Sequence, residues 1–185
     1  MFDSDQFVAD CRAARAEDDG HKAVREVVAR AVSDPAAVLA GLGAPEKAGL
    51  FTLHHSDELT VLNIVWAPHM TLVPHNHRMW AVIGIYSGRE DNIFWRRVAD
   101  GEGGRIEAAG AKAIGERDTV ALGRDIVHSV TNPIPRLTAA LHVYGGDFFA
   151  PGRSDWDPET LLEHPFDIDK TRQIFDKFNA AFAPA

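Results

Sequence analysis

Only one cysteine, Cys11, occurs in the whole chain. Without a second thiol there is no internal disulfide, and the chain reads as adapted to a reducing compartment, the cytoplasm. Positive charge is also scarce, with 19 Lys and Arg against 27 Asp and Glu, a net charge of −8. Phosphate-rich partners require clustered Lys and Arg. The longest basic run is the pair Arg96-Arg97, which argues against a nucleic-acid partner. No stretch approaches the roughly 18 uninterrupted apolar residues of a membrane span. Met1 to Asp10 is acidic and carries no long apolar run, so no signal peptide is expected. Internal repeats and low-complexity segments are missing too.

What remains is an ordinary globular composition: 185 residues, 45% apolar and 25% charged. That length suits one domain with one substantial core. Residues 1–43 read as helices, 49–150 as a β-barrel, and 155–185 as a C-terminal segment with a helix. Ser4 or Asp5 is placed to cap a helix over Gln6–Ala16, with Phe7, Val8 and Cys11 on one face. Asp18-Asp19-Gly20 breaks it. His21–Val32 sets Val24, Val27, Val28 and Ala31 at helical spacing, and Ala36–Ala40 follows Pro35 as a short helix. Asp167 is placed to cap Ile168–Phe182.

From Gly49 the texture changes to short β-branched and aromatic runs between Gly, Pro and Asp turns. Strands are expected at Gly49–His54, Thr60–Trp66, Thr71–His75, Met79–Ser87, Asp91–Val98, Ala108–Ile114, Thr119–Leu122, Ile126–Asn132 and Arg136–Tyr144. Short strands without intervening helices imply an antiparallel sandwich or barrel. Gly101–Gly104 reads as a hairpin tip. Arg89, Glu90 and Asp91 read as a solvated turn after Gly88. Trp80, Tyr86, Phe94 and Trp95 read as core, with one or two walling a pocket.

Histidines are in mild excess, nine in all, and three crowd the segment His69 to His77. Residues two apart on a strand share a face, so His75 and His77 project together. Imidazole pairs of this kind form half of a site for Fe, Zn, Ni or Cu, and the motif alone fits two exposed loop histidines beside Pro74 equally well. His69 falls in the preceding turn and reads as a loop residue. Arg78 is a candidate anion anchor, although it alternates away from His77 and reads as facing out.

A second segment runs from Gly115 through Gly123 to His128-Ser-Val-Thr-Asn132. Together the two segments resemble the two motifs of the cupins: His-x-His with a later Gly, here Gly88, and then Gly, a turn, and His with a following Asn. The resemblance implies a double-stranded β-helix, the jelly-roll barrel, with helices at both ends. It also implies that His128 completes a metal site with His75 and His77. Many cupins add a Glu four or five residues beyond the His-x-His. Here those positions are Ala81 and Val82, which leaves a neutral three-histidine set with open positions for a ligand.

That three-histidine set resembles the thiol dioxygenases, cysteine dioxygenase in particular. The likeness spans roughly residues 50–150. It includes the strand ending at Trp66, nine residues before His75, and His142-Val-Tyr144 near the iron. It implies ferrous iron, with zinc, nickel or manganese as alternatives. It further implies a small-molecule substrate plus dioxygen, and roles for Tyr144 at the substrate and for His142 in orienting Tyr144. Oligomeric state is left at monomer or homodimer. The sequence departs from the family at three places. The serine of the relay is Ala140. The cysteine that cross-links to the tyrosine falls at Ala81 or Val82. The carboxylate-binding Arg is missing before Trp66, where His54 and His55 are the residues left to take an anion. Two other readings stay open: an isomerase or lyase using its metal as a Lewis acid, and a ligand-binding module without turnover.

Overall fold

The computed structural model describes residues 2–17 and 20–182. Asp18 and Asp19, part of the expected helix break, lie outside the described residues. Three helices open the chain: α1 (Ser4–Glu17), α2 (Lys22–Val32) and α3 (Pro35–Leu42). The first cap is one residue earlier than the sequence suggests. Asp3 Oδ1 accepts from the backbone N–H of Asp5 and Gln6, at 2.9 and 3.0 Å. Ser4 and Asp5 are already helical. Asp34 caps α3 by accepting from the Ala37 N–H at 3.1 Å, and Pro35 takes the first helical position.

Strands β1 (Gly49–His55), β2 (Thr60–Trp66), β3 (Thr71–Asn76), β4 (Ala81–Ser87) and β5 (Arg89–Arg97) follow. Next come β6 (Ile106–Gly115), β7 (Thr119–Leu122), β8 (Val127–Thr131) and β9 (Thr138–Tyr144). Two short strands, β10 (Ser154–Trp156) and β11 (Glu163–Pro165), precede helix α4 (Ile168–Phe182). The sequence suggested helical texture from Asp155 onward. Instead, β10 pairs with β3 by placing Asp155 opposite His75, and β11 pairs with β10. Three-residue strands are too short to show a period, so the pairing is a tertiary decision.

Two sheets form the barrel, in the orders β1-β2-β9-β4-β7 and β11-β10-β3-β8-β5-β6. Every pairing is antiparallel. The central strands of the five-stranded sheet, β2, β9 and β4, are buried on both faces and so read as nearly unbroken apolar runs. Leu62, Ile64, Trp66, Ile83, Ile85 and Ala140 face inward. Val61, Val65, Val82, Leu141 and Val143 face out and are covered by Val24, Val27, Val28 and Val32 of α2. Cys11 lies in that outer layer, fully buried, its thiol pushed up to about 12 by burial and then by Asp10.

Helix α4 is preceded and capped by Asp167, whose Oδ1 accepts from the Asp169 N–H at 2.8 Å. Its apolar side, Ile168, Ile174, Phe175 and Phe178, packs against the inner core. The Phe175 ring lies 5.5 Å from that of Trp66. The helix therefore closes the barrel end where the inward polar residues gather.

Candidate metal centre

The ends of two strands, β3 and β8, bring the histidines together. His75 sits opposite His128 across the β3–β8 ladder. His77 follows β3 by one residue, and a register shift between Leu72 and His75 kinks that strand at Pro74, which has no N–H for the ladder. All three side chains are buried. Their ring centroids lie 4.7 to 5.0 Å apart, and one nitrogen from each falls within 4.8 Å of the others.

The outer nitrogens of two rings are already committed. His75 Nδ1 donates to the Val73 carbonyl at 2.9 Å, and His128 Nδ1 donates to Asn92 Oδ1 at 2.8 Å. Both rings thus present Nε2 lone pairs to the interior, the arrangement of metal-binding imidazoles. The Nε2 atoms of His77 and His128 converge to 3.5 Å. Burial holds His75 down to about 4 and His77 and His128 well below the ordinary range, so all three are neutral donors at neutral pH. A neutral three-nitrogen set with nitrogens turned inward fits a borderline divalent ion.

Tyr144 lies against this cluster, its ring 5.0 Å from that of His77. Its hydroxyl is 3.0 Å from His142 Nδ1. Burial pushes the phenol pKa up. Ala81 pairs directly with Tyr144 across β4 and β9, so a methyl group stands beside the tyrosine. Behind His142 stands Glu90. This residue belongs to β5 and is fully buried, not part of a solvated turn. The turn reading failed because a glutamate inside an inward-facing strand position looks polar in sequence. Glu90 Oε1 accepts from Trp66 Nε1 at 2.6 Å and lies 3.4 Å from His142 Nε2. His142 Nε2 therefore faces a carboxyl that comes from another strand.

The cavity is small, with about 20 Å³ free to a water-sized molecule, room for roughly one water. Trp66, Phe148, Phe166 and Thr171 wall it alongside the histidines and Tyr144. Trp80, Tyr86, Phe94 and Trp95 do not line it. Tyr86 donates to Asn63 at 2.8 Å in the layer under the helices, and Trp95 donates to Ser129 at 3.0 Å on the far face.

His54 and His55 are not at this cavity. His54 borders an open groove of about 760 Å³ beside α1, and exposed His55 pairs with Asp147 at 2.7 Å. Arg78 is exposed. The cation near the histidines is Arg153, just before β10 and only 5% exposed. Its guanidinium carbon lies 4.3 Å from the Phe148 ring centre and 4.0 Å from that of Phe166. Its Nε and Nη1 make no hydrogen bond among the described residues. Burial lowers its pKa to about 10 and leaves it charged. The only sequence signal was a lone Arg in the stretch Phe148-Phe149-Ala-Pro-Gly-Arg153.

Asn132 has a structural task. Its Nδ2 donates to the Ala67 and Arg136 carbonyls at 2.9 and 2.8 Å, and its Oδ1 accepts from the Thr138 hydroxyl at 3.0 Å. It thereby ties the exit of β8 to the end of β2 and the start of β9.

Two antiparallel sheets wound around a histidine-lined interior, with helices outside, make this a double-stranded β-helix, a jelly-roll barrel. No family model matches the chain. It is similar to an RmlC-like cupin with a double-stranded β-helix fold from Methanocaldococcus jannaschii, at 10% identity and a TM-score of 0.47, over 57% of this chain and 86% of that one. It is also similar to oxalate decarboxylase from Bacillus subtilis, at 20% identity and a TM-score of 0.43, over 57% of this chain and 27% of that one. The chain thus covers about a quarter of the decarboxylase.

Proposed function

We propose that this chain is a non-haem iron dioxygenase acting on a small thiol that carries an anionic group. The observation that carries the reading is the pairing of a neutral three-histidine cluster with a buried guanidinium whose Nε and Nη1 make no hydrogen bond among the described residues. Ferrous iron held by His75, His77 and His128 would supply a centre that keeps its full positive charge and takes up both a thiolate and dioxygen. Adding both oxygen atoms to sulfur, R–SH + O₂ → R–SO₂H, balances without an external reductant.

The protein's own residues account for the rest. A buried cation with unpaired N–H groups is costly unless an anion meets it. Arg153 therefore favours a substrate with a carboxylate or similar group, held by charge-assisted hydrogen bonds. Phe148 and Phe166 fix the guanidinium plane by stacking. Tyr144 faces the reacting end of the substrate, and α4 with Phe166 excludes water. Orientation of this kind is a large part of what a protein adds to a two-reactant step.

The test is oxygen uptake by iron-loaded protein with mercapto-carboxylic acids and with aminothiols lacking a carboxylate. Turnover should be confined to the acids. Arg153→Met should raise KM for them by roughly 10–100-fold, the worth of one hydrogen bond to a charged group. No uptake with any thiol would overturn the reading, as would equal turnover of the uncharged thiols.

A further inference from the structure

We infer that Glu90 is a positioning residue that fixes the tautomer of His142 and so makes Tyr144 a hydrogen-bond acceptor toward the cavity. The argument starts from Trp66. An indole nitrogen only donates, so Glu90 Oε1, 2.6 Å from Trp66 Nε1, is an acceptor. This holds whether the carboxyl is ionised or carries a proton on Oε2, the atom left without a partner. The same Oε1 faces His142 Nε2 at 3.4 Å, and that nitrogen makes no hydrogen bond among the described residues, which leaves Oε1 as the acceptor within its reach. A ring nitrogen beside an acceptor is favoured with its hydrogen on. In a neutral imidazole, Nδ1 then carries the lone pair.

His142 Nδ1 therefore accepts from the Tyr144 hydroxyl across their 3.0 Å contact. The phenolic hydrogen points to His142 and the oxygen lone pairs are left for the cavity, which both residues line. A substrate group beside Tyr144 must then bring its own hydrogen, as a thiol, hydroxyl or ammonium does. The chain Trp66–Glu90–His142–Tyr144 spans β2, β5 and β9. No local sequence pattern contains it. The consequence for substrate rests on Tyr144 facing the substrate, but the tautomer can be read without any turnover.

The experiment is long-range ¹H–¹⁵N correlation of the imidazole nitrogens in the metal-free protein, with His142 assigned by its loss in His142→Gln. In the unmodified chain, Nε2 should be pyrrole-like and Nδ1 pyridine-like. Glu90→Gln keeps a carbonyl acceptor for Trp66 and should leave that pattern in place. Glu90→Met keeps the bulk but has no such acceptor, and should shift Nδ1 toward the pyrrole-like position. A protonated Nδ1 in the unmodified chain would overturn the inference, and so would an unshifted His142 in Glu90→Met. These results are independent of the thiol assay, so failure of one is distinguishable from failure of the other.

Discussion

A tyrosine hydroxyl has one hydrogen to give, and in the tautomer inferred for His142 that hydrogen goes to Nδ1. At the scale of single residues, that makes Tyr144 and the three clustered histidines separable. His128 contributes a nitrogen turned into the cluster, so His128→Ala should lose most of the bound metal while keeping the fold. Tyr144→Phe should keep the metal and lose the oxygen. On the proposed reading, which puts Tyr144 at the reacting end of the substrate, that loss should slow turnover by about 10² or more. A buried hydroxyl with a purely structural bond would instead lower stability by roughly 1 kcal/mol and leave the rate alone. Metal content, melting temperature and turnover measured on both variants separate these outcomes. Full metal occupancy in His128→Ala would remove His128 from the site.

Among the elements, α2 is seated on β4 where the strand has no side chain. A Cβ added at Gly84 would come within 2.5 Å of a Val28 methyl and 2.9 Å of a Val32 methyl. Valine is stiff at χ1, so neither methyl can swing aside cheaply. Gly84→Ala should destabilise the protein by about 1–3 kcal/mol through overpacking, at roughly 2–4 °C of melting temperature per kcal/mol for a chain of this size. Its metal content should not change, because Gly84 serves the outer layer. A melting temperature equal to that of the parent would mean α2 sits more loosely than it is placed here. Most of these elements were legible beforehand, since β2 and β7 match their expected runs and the other long strands differ by a few residues at their ends. β10 and β11 were not, because β10 owes its extended form to the edge of β3 and β11 to the edge of β10.

For the molecule as a whole, the buried cluster links stability to pH. His75 is lowered from about 6.5 to about 4 by burial, with smaller contributions from Arg153 and His142, and His77 and His128 are lowered as well. Above pH 6.5 both folded and unfolded imidazoles are neutral, and the cluster costs nothing in protons. As pH falls below 6.5, the unfolded chain takes up protons that the folded cluster refuses, so folding weakens. For His75 alone the loss reaches roughly 3 kcal/mol by pH 4. The metal-free protein should therefore show a flat melting temperature above pH 7 and a falling one from pH 6.5 toward 5, before most carboxylates titrate. His128→Gln, with one fewer such group, should flatten the slope. An equally steep slope in that variant would place the acid sensitivity elsewhere.

The sequence by itself determined the elements and the histidines. Period-two apolar runs, turn residues and caps act over a few positions, and so does His-x-His on one strand. Tertiary structure decided everything that depends on which strands become neighbours. It turned Glu90 inward beneath Trp66 and His142, and it brought Arg153 against rings from two separate loops. It also left His54 and His55 outside the cavity. A buried charge is recognisable only by what surrounds it, and in a double-stranded β-helix those surroundings come from strands dozens of residues apart.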